Sequence, residues 1–221
     1  MHEVKLLSFD CYGTLIDWEA GMVKALEIIK GKYGLEADLH RLVDRYVQIE
    51  LEVEKERYRK YSDVLTISLS KLLNEAGINP EPEDTRLFVK TLPSWPPFPE
   101  TSSVIRQLKE LGYKLAILSN IDNDLIAQSV KLIGAEFDYI ITAEMTRSYK
   151  PAPGHWDMLL RVSGVERERV LHVAASIVHD IRPAKRLGFK AVWINRRGDT
   201  KPSDVEPDYT MPNLEPLPTI L

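Results

Sequence analysis

The chain has 221 residues, of which 44% are hydrophobic and 28% are charged, and its formal net charge is −4 at pH 7. This length allows one large domain or two small ones, with a core that needs neither disulfides nor a structural metal. A mildly acidic chain without a basic stripe is not expected to bind nucleic acid. No apolar run approaches the ~20 residues that span a bilayer, so a membrane partner is not expected either.

Cysteine usage and the first residues both indicate the cytoplasm. Cys11 is the only cysteine, which rules out a disulfide within the chain. Residues 1–5 lead directly into an apolar run and do not have the pattern of a signal peptide. We therefore expect a cytoplasmic protein.

The first part of the chain changes from strand to helix. Residues 4–10 form a short apolar run that ends on a carboxylate and predicts a buried parallel strand. Helical periodicity then dominates, with breaks at glycines and prolines. The predicted helices of this region cover residues 19–33, 38–60, 62–76 and 83–92.

After a proline-rich segment at 93–99, which cannot lie inside a helix, strands and helices alternate. The predicted strands are 114–119, 138–142, 170–174 and 191–194, and the predicted helices lie near 101–111, 122–133, 153–164 and 179–187. Such alternation indicates βαβ units, and the proline-rich residues 198–221 are expected to form an extended tail.

The predicted fold is therefore an α/β core with a parallel sheet flanked by helices, plus an all-helical insert after the first strand. The predicted domains are a core made of 1–16 and 97–221, and a helical domain at 17–96. Ligands of such sheets bind beyond the carboxyl ends of the strands. The polar residues that follow those ends are Asp10, Ser119, Asn120, Lys150, Ser176 and Asp180. A helix cap or a surface loop explains any one of them alone, but their joint position predicts one polar crevice.

All of these residues except Ser176 lie in four motifs that resemble those of the haloacid dehalogenase superfamily, whose core is Rossmann-like. The motifs are Phe9-Asp10-Cys11-Tyr12-Gly13-Thr14, Leu118-Ser119-Asn120, Tyr149-Lys150-Pro151, and His179-Asp180 with the following 183–188. The resemblance covers nearly the whole chain. It implies that Asp10 is a nucleophile and that the helical insert is a cap over it.

The position two residues after Asp10 separates reaction classes within this superfamily. Phosphatases of this type have a second aspartate there as the general acid, whereas this chain has Tyr12, which resembles the type II (S)-2-haloacid dehalogenases. A departing halide needs no proton, so the missing acid is chemically consistent. The resemblance implies that Asp10 forms an ester with a small halogenated carboxylic acid and that water hydrolyses this ester without a cofactor. A homodimer is suggested by the resemblance alone.

The resemblance also assigns roles to individual residues. The expected catalytic residues are Asp10, Thr14, Lys150, Ser176 and Asp180. The expected substrate-binding residues are Cys11 and Tyr12 through their backbone N–H groups, Arg45 as the cradle of the halide, Ser119, Asn120 and Trp156. No metal ligand is expected. Arg45 also fits the simpler interpretation of a solvated charge on a helix.

Three positions depart from the dehalogenase pattern. Ala175 and Ile177 stand where that family has polar residues linked to water positioning, and Trp156 replaces a functional tyrosine. Two alternatives therefore stay open at this point. One is a Mg²⁺-dependent phosphatase of the same superfamily, with Asp10 and Asp180 as metal ligands. The other is a binding protein that has the fold without turnover.

Overall fold

The core is a parallel sheet. A computed structural model describes residues 3–221, so Met1 and His2 of the predicted core segment lie outside the described residues. Within this range six strands pair in the order β3-β2-β1-β4-β5-β6, and every pairing is parallel. The strands are β1 (Leu6–Phe9), β2 (Lys114–Ser119), β3 (Tyr139–Thr142), β4 (Val170–Ala174), β5 (Lys190–Ile194) and β6 (Tyr209–Met211). The predicted α/β class is confirmed.

Continuous apolar runs explain the burial of the central strands. Each residue of β1 and β4 is buried, as expected for strands covered by helices on both faces. The helices of this part are α6 (Thr101–Glu110), α7 (Asn123–Ile133), α8 (Ala143–Thr146), α9 (Gly154–Ser163) and α10 (Arg182–Arg186). The strand order changes direction between β1 and β4, which is where parallel sheets of this kind open a crevice for ligands.

A helical insert separates β1 from the rest of the sheet. Its helices are α1 (Trp18–Tyr33), α2 (Leu39–Glu56), α3 (Tyr61–Glu75), α4 (Pro82–Thr85) and α5 (Leu87–Thr91). The chain leaves the sheet and returns to it at one place, because Ile16 pairs with Pro97 and the N–H of Asp17 donates to the carbonyl of Pro96 at 2.8 Å. A two-strand crossing of this kind allows the insert to fold as a continuous helical unit.

Polar contacts fasten the insert to the sheet side of the molecule. The first two N–H groups of α3, at Tyr61 and Ser62, donate to the carboxylate of Asp122 at 2.7 and 2.9 Å. A carboxylate at a helix N-terminus satisfies orphan donors and opposes the positive end of the helix dipole. The hydroxyl of Tyr149 also donates to the carbonyl of Arg59 at 2.6 Å. These bonds fix α3 and the preceding loop above the crevice.

The predicted elements that differ from the structure include the following three. The helix predicted over 38–60 ends at Glu56, because Arg57 has an extended backbone and the chain stays non-helical up to α3. The helix predicted to begin near 179 begins at Arg182, because Ile177–Ile181 form a π-helical turn. The tail contains β6, which pairs with β5, and its three residues are too few to give a strand periodicity in the sequence.

No helix within residues 3–221 has both the length and the apolar character that a bilayer crossing requires.

The first prediction concerns Gly21, which lies in α1 directly against Trp95. A Cβ at Gly21 would come within 2.3 Å of the Trp95 ring, whereas a Cβ at Gly31 of the same helix would meet nothing within 4 Å. Gly21→Ala should lower the free energy of unfolding by about 1–3 kcal/mol through overpacking. Gly31→Ala should raise it by about 0.5–1 kcal/mol, because alanine favours the helix. Urea unfolding measures both, and equal effects of the two substitutions would contradict the packing of α1 against Trp95.

Candidate active site

The crevice contains a buried lysine between two buried carboxylates. Asp10 directly follows β1, Lys150 lies in the loop after α8, and Asp180 lies in the π-helical turn after β4. The Lys150 ammonium donates to Asp10 Oδ1 at 2.9 Å, to Asp180 Oδ1 at 2.6 Å and to the carbonyl of Leu118 at 2.8 Å. All three of its protons are therefore used. The structure brings these predicted residues together at the carboxyl edge of the sheet.

Burial and mutual attraction set the charges of this cluster. Burial lowers the pKa of Lys150, but the two adjacent carboxylates outweigh this and raise it above its ordinary value. Burial raises the pKa of Asp10, while the ammonium opposes that rise. The pKa of Asp180 falls to about 2, because the attraction of Lys150 and the hydrogen bond from His172 exceed the effect of burial. The raised pKa of Lys150 favours the ammonium form, and Asp10 is the more exposed of the two carboxylates that it contacts.

Other predicted site residues, the catalytic Thr14 and the substrate-binding Asn120, orient this cluster. The hydroxyl of Thr14 donates to Asp10 Oδ2 at 2.9 Å and accepts from the N–H of Ala175 at 2.9 Å. The Asn120 amide binds the backbone of Lys150 on both sides, at 2.7 Å to its N–H and 3.1 Å to its carbonyl. The side chain of Asn120 is therefore committed to Lys150. Ser119 is buried next to it and lines the crevice.

A cavity of about 260 Å³ lies above Asp10. This size suits a small molecule. Its walls come from both the sheet side and the helical insert, and the lining residues include Asp10, Tyr12, Trp18, Val47, Glu50, Leu51, Glu54, Trp95, Ser119, Lys150, Ser176, His179 and Asp180. A larger, more open cleft of about 620 Å³ adjoins it and shares Tyr12, Trp18 and Ser176. We assign the chemistry to the smaller cavity, because Asp10, Lys150 and Asp180 line it and do not line the larger one.

The donor set does not fit a magnesium ion. Magnesium requires near-octahedral oxygen ligands. The space between Asp10 and Asp180 is bridged by the Lys150 ammonium, and the hydroxyl of Tyr12 pairs with Ser129 Oγ at 2.9 Å. Among residues 3–221, no group of three or more His, Cys, Asp or Glu side chains has a metal-binding arrangement.

The structure contradicts the predicted role of Arg45. Its guanidinium lies on the surface, where it forms two 2.7 Å hydrogen bonds with the Glu75 carboxylate and one of 3.1 Å with Gln48. It does not line the cavity. The reason is helical geometry: Glu54 faces the cavity, and Arg45 precedes it by about two and a half turns, so it lies on the opposite side of α2. The simpler interpretation, a solvated helix charge, is the correct one.

Trp156 is also absent from the cavity. It is fully buried beside the sheet, where its ring packs edge-to-face against His172 with centroids 5.5 Å apart. Position 156 faces the sheet because α9 covers the strands at this point, so the predicted contact with substrate is wrong. The Cys11 side chain is buried in the core, where burial raises the pKa of its thiol. A contact of substrate with the backbone N–H of Cys11 stays a prediction.

Sequence reasoning missed a histidine beneath the cluster. Ser8 Oγ lies 2.9 Å from His172 Nδ1, and His172 Nε2 lies 3.0 Å from Asp180 Oδ1. Because an ionised carboxylate only accepts hydrogen bonds, Nε2 is the donor to Asp180 and Nδ1 accepts from Ser8. His172 thereby positions Asp180. A single histidine in an apolar strand carries no sequence signal of this role.

The cavity residues of the insert were missed as well. Glu50 and Glu54 lie in a highly charged stretch that predicts a solvated face, yet they are one helical turn apart on the side of α2 that lines the cavity. Glu50 accepts hydrogen bonds from Tyr61 at 2.7 Å and Tyr46 at 3.2 Å. Its burial raises its pKa to about 7. The spacing of Val47, Glu50, Leu51 and Glu54 is the one signal that would have found this face.

Comparison with known proteins agrees with this fold and this set of motifs. The sequence model of the haloacid dehalogenase-like hydrolase family matches residues 4–188 of this chain. The chain therefore belongs to the haloacid dehalogenase-like hydrolases, and both the resemblance and the prediction of a hydrolase are confirmed.

Individual relatives extend over almost the full chain. Haloacetate dehalogenase H-2 of Moraxella sp. (strain B) is 29% identical and covers 98% of this chain and 97% of its own length. An (S)-2-haloacid dehalogenase of Pseudomonas sp. (strain YL) is 27% identical, over 97% and 93%. The crystal structure of the L-2-haloacid dehalogenase RSc1362 superposes with a TM-score of 0.88 at 25% identity, and covers 99% of both chains.

The second prediction tests the buried ion cluster. Lys150→Met leaves two buried carboxylates without their cation, which should cost about 3–5 kcal/mol of unfolding free energy at pH 8. Without the ammonium, burial holds their pKa above the unfolded value, so the folded state binds protons more tightly and the deficit should shrink as the pH falls towards 5. In the wild type the pKa of Asp180 is about 2, below its unfolded value, so its contribution to the free energy of unfolding is lost only at more acidic pH.

Denaturant unfolding at both pH values measures this effect. Lys60→Met is the matched control, because Lys60 forms an exposed ion pair with Glu144 at 3.1 Å and its removal should change little at either pH. An equal deficit of Lys150→Met at pH 8 and pH 5 would show that the loss comes from packing and not from charge.

Proposed function

We propose that the protein is a hydrolytic dehalogenase of small 2-haloacids that releases halide through an ester on Asp10 and yields a 2-hydroxy acid. The observation that carries this proposal is the Asp10 carboxyl group, hydrogen-bonded to the Lys150 ammonium and to Thr14, on the floor of a cavity whose residue 12 has no acidic group. The names of the relatives support the same carbon–halogen chemistry.

The first step is nucleophilic substitution. A carboxylate oxygen of Asp10 attacks C2 of the substrate, the carbon–halogen bond breaks, and the halide leaves with the bonding electrons. Lys150 keeps the proton of the cluster away from Asp10, so the nucleophile is ready in its anionic form. Ser119 and the backbone N–H groups of Cys11 and Tyr12 are the proposed contacts of the substrate carboxylate.

The second step is hydrolysis of the ester at the Asp10 carbonyl. Asp180 Oδ2 is buried and has no hydrogen-bond partner among the described residues, whereas Oδ1 is occupied by Lys150 and His172. A free acceptor oxygen at this position supports a role of Asp180 in holding the attacking water. Since residues 175 and 177 are Ala and Ile, their side chains offer no polar group for this task.

We also propose that residues 17–96 act as a cap domain over the core of 1–16 and 97–221. The crossing of the chain at Ile16 and Pro97 supports this division. The cavity has one wall from each unit, since Glu54 comes from α2 and Asp10 from the sheet. Substrate entry would then require the helical unit to move relative to the sheet.

The third prediction tests the function directly. Purified protein should release chloride from chloroacetate or (S)-2-chloropropionate, and exhaustive EDTA treatment should leave the rate unchanged, because the positive charge beside Asp10 belongs to Lys150. Ion chromatography measures the halide. Hydrolysis of phosphate monoesters that depends on Mg²⁺, without halide release, would favour the phosphatase instead, and no turnover of either substrate would favour a binding protein.

Asp10→Asn is the control, since it removes the nucleophile and retains the shape of the side chain; it should abolish halide release. In ¹⁸O water, mass spectrometry after multiple turnovers should find label in the peptide that contains Asp10. Label that enters the product alone from the first turnover would contradict the ester.

The fourth prediction concerns Arg45. Because its guanidinium is exposed and bound to Glu75 on the side of α2 away from the cavity, Arg45→Ala should release halide at close to the wild-type rate. Steady-state kinetics with chloroacetate measures this. A large fall in kcat would mean that the side chain turns into the cavity during the reaction.

A further inference from the structure

The cavity wall formed by the helical insert carries an unpaired carboxyl group. Glu54 on α2 lines the cavity together with Asp10 and Lys150, and its side chain is 9% exposed. Among residues 3–221, no donor lies within hydrogen-bond distance of this carboxyl, and His179 Nε2 lies 3.7 Å from Glu54 Oε2. A buried carboxyl without a partner is costly, which points to a ligand that contacts it.

His179 faces the same point from the sheet side. Its backbone N–H donates to Ser176 Oγ at 3.1 Å, so the hydroxyl proton of Ser176 is free for His179 Nδ1 at 3.2 Å. Burial lowers the pKa of His179, which keeps the ring neutral. A neutral ring that accepts at Nδ1 carries its proton on Nε2. An N–H group is therefore directed at the cavity beside Glu54.

The surroundings of Glu54 favour its protonated form. Burial raises the pKa of Glu54 well above its ordinary value, the neighbouring Glu50 carboxylate raises it further, and Lys150 on the cavity floor lowers it. His179 and Tyr149 face it from the sheet side, and the hydroxyls of Tyr46 and Tyr61 bind Glu50. A protonated carboxyl has one O–H to donate. The cavity then has two neutral donors from opposite walls.

We propose that the O–H of Glu54 and the Nε2–H of His179 form the binding site of the departing halide, in the place where Arg45 was expected. This inference rests on the proposed dehalogenase function. As the bond from Asp10 to C2 forms and the carbon–halogen bond breaks, the halide takes the electron pair and accepts a hydrogen bond from each group. Neither proton is transferred, so both residues are ready for the next turnover without a further step.

Two neutral donors affect the choice of leaving group. Hydrogen bonds to a halide strengthen as the ion becomes smaller, so chloride gains more from them than bromide does. A site of this kind should therefore narrow the reactivity difference between chloro and bromo substrates. A residue that served only to hold the fold would change both rates by the same factor.

The fifth prediction uses single-turnover halide release from 2-chloropropionate and 2-bromopropionate. Glu54→Met retains the length of the side chain without a donor and should slow chloride release about tenfold, the equivalent of one hydrogen bond, and bromide release less. Glu54→Gln retains a donor and should stay near the wild-type ratio of the two rates. Glu52→Met, on the exposed side of α2, is the matched control and should change neither rate.

His179→Phe is a second, independent variant, which keeps the test decisive if Glu54→Met does not fold. It should also slow chloride release more than bromide release. If the folded variants slow the release of both halides by the same factor, or slow neither, the proposed halide site is wrong. Halide release by the wild type would still support the proposed function in that case. A wild type that releases no halide from either substrate overturns the proposed function itself.

Discussion

The site depends on one buried ammonium group. Lys150 is 1% exposed and has three acceptors, so its charge is retained inside the protein only while Asp10, Asp180 and the Leu118 carbonyl stay in place. These acceptors come from three separate strand ends. The parallel sheet therefore brings these acceptors together at one edge. The Asn120 amide fixes the backbone of Lys150 through two hydrogen bonds. A charge balance of this kind links the stability of the core directly to the charge of Asp10, the proposed nucleophile.

The side of Asp180 away from the cavity is supported by residues of the strands and of α9. His172 donates to Asp180 from within β4, Ser8 of β1 fixes the ring, and Trp156 packs against its face. The backbone N–H of Ala175 donates a hydrogen bond to Thr14, and the carbonyl of Ala175 accepts one from the indole N–H of Trp193. The orientation of the acidic cluster thus relies on the strands beneath it and on backbone groups beside it, and less on polar side chains of the fourth motif.

The two walls of the cavity differ in their chemistry. The floor combines three charged groups in close contact, whereas the wall of the insert combines Glu50 and Glu54 with tyrosines and apolar side chains. Burial disfavours a charged carboxylate on this wall, which is why the pKa of Glu50 rises to about 7 although Tyr61 and Tyr46 donate hydrogen bonds to it. When the carboxyl groups of Glu50 and Glu54 are neutral, this wall does not repel the carboxylate of the proposed substrate. The contacts of Asp122 with the start of α3 hold this wall above Asp10.

The sequence alone determined the class of the fold and the residues of the cavity floor. Strand ends are marked by short apolar runs, and Asp10, Lys150 and Asp180 directly follow such ends or lie in recognisable motifs. What only the tertiary structure decided is which side chains face them. Arg45 and Glu54 belong to one charged helix, and local patterning does not reveal which side of a highly charged helix is buried. The choice was made by packing of α2 against α1 and α3, through contacts between residues of different helices. The same reason applies to Trp156 and His172, whose roles follow from the face of the sheet that α9 covers.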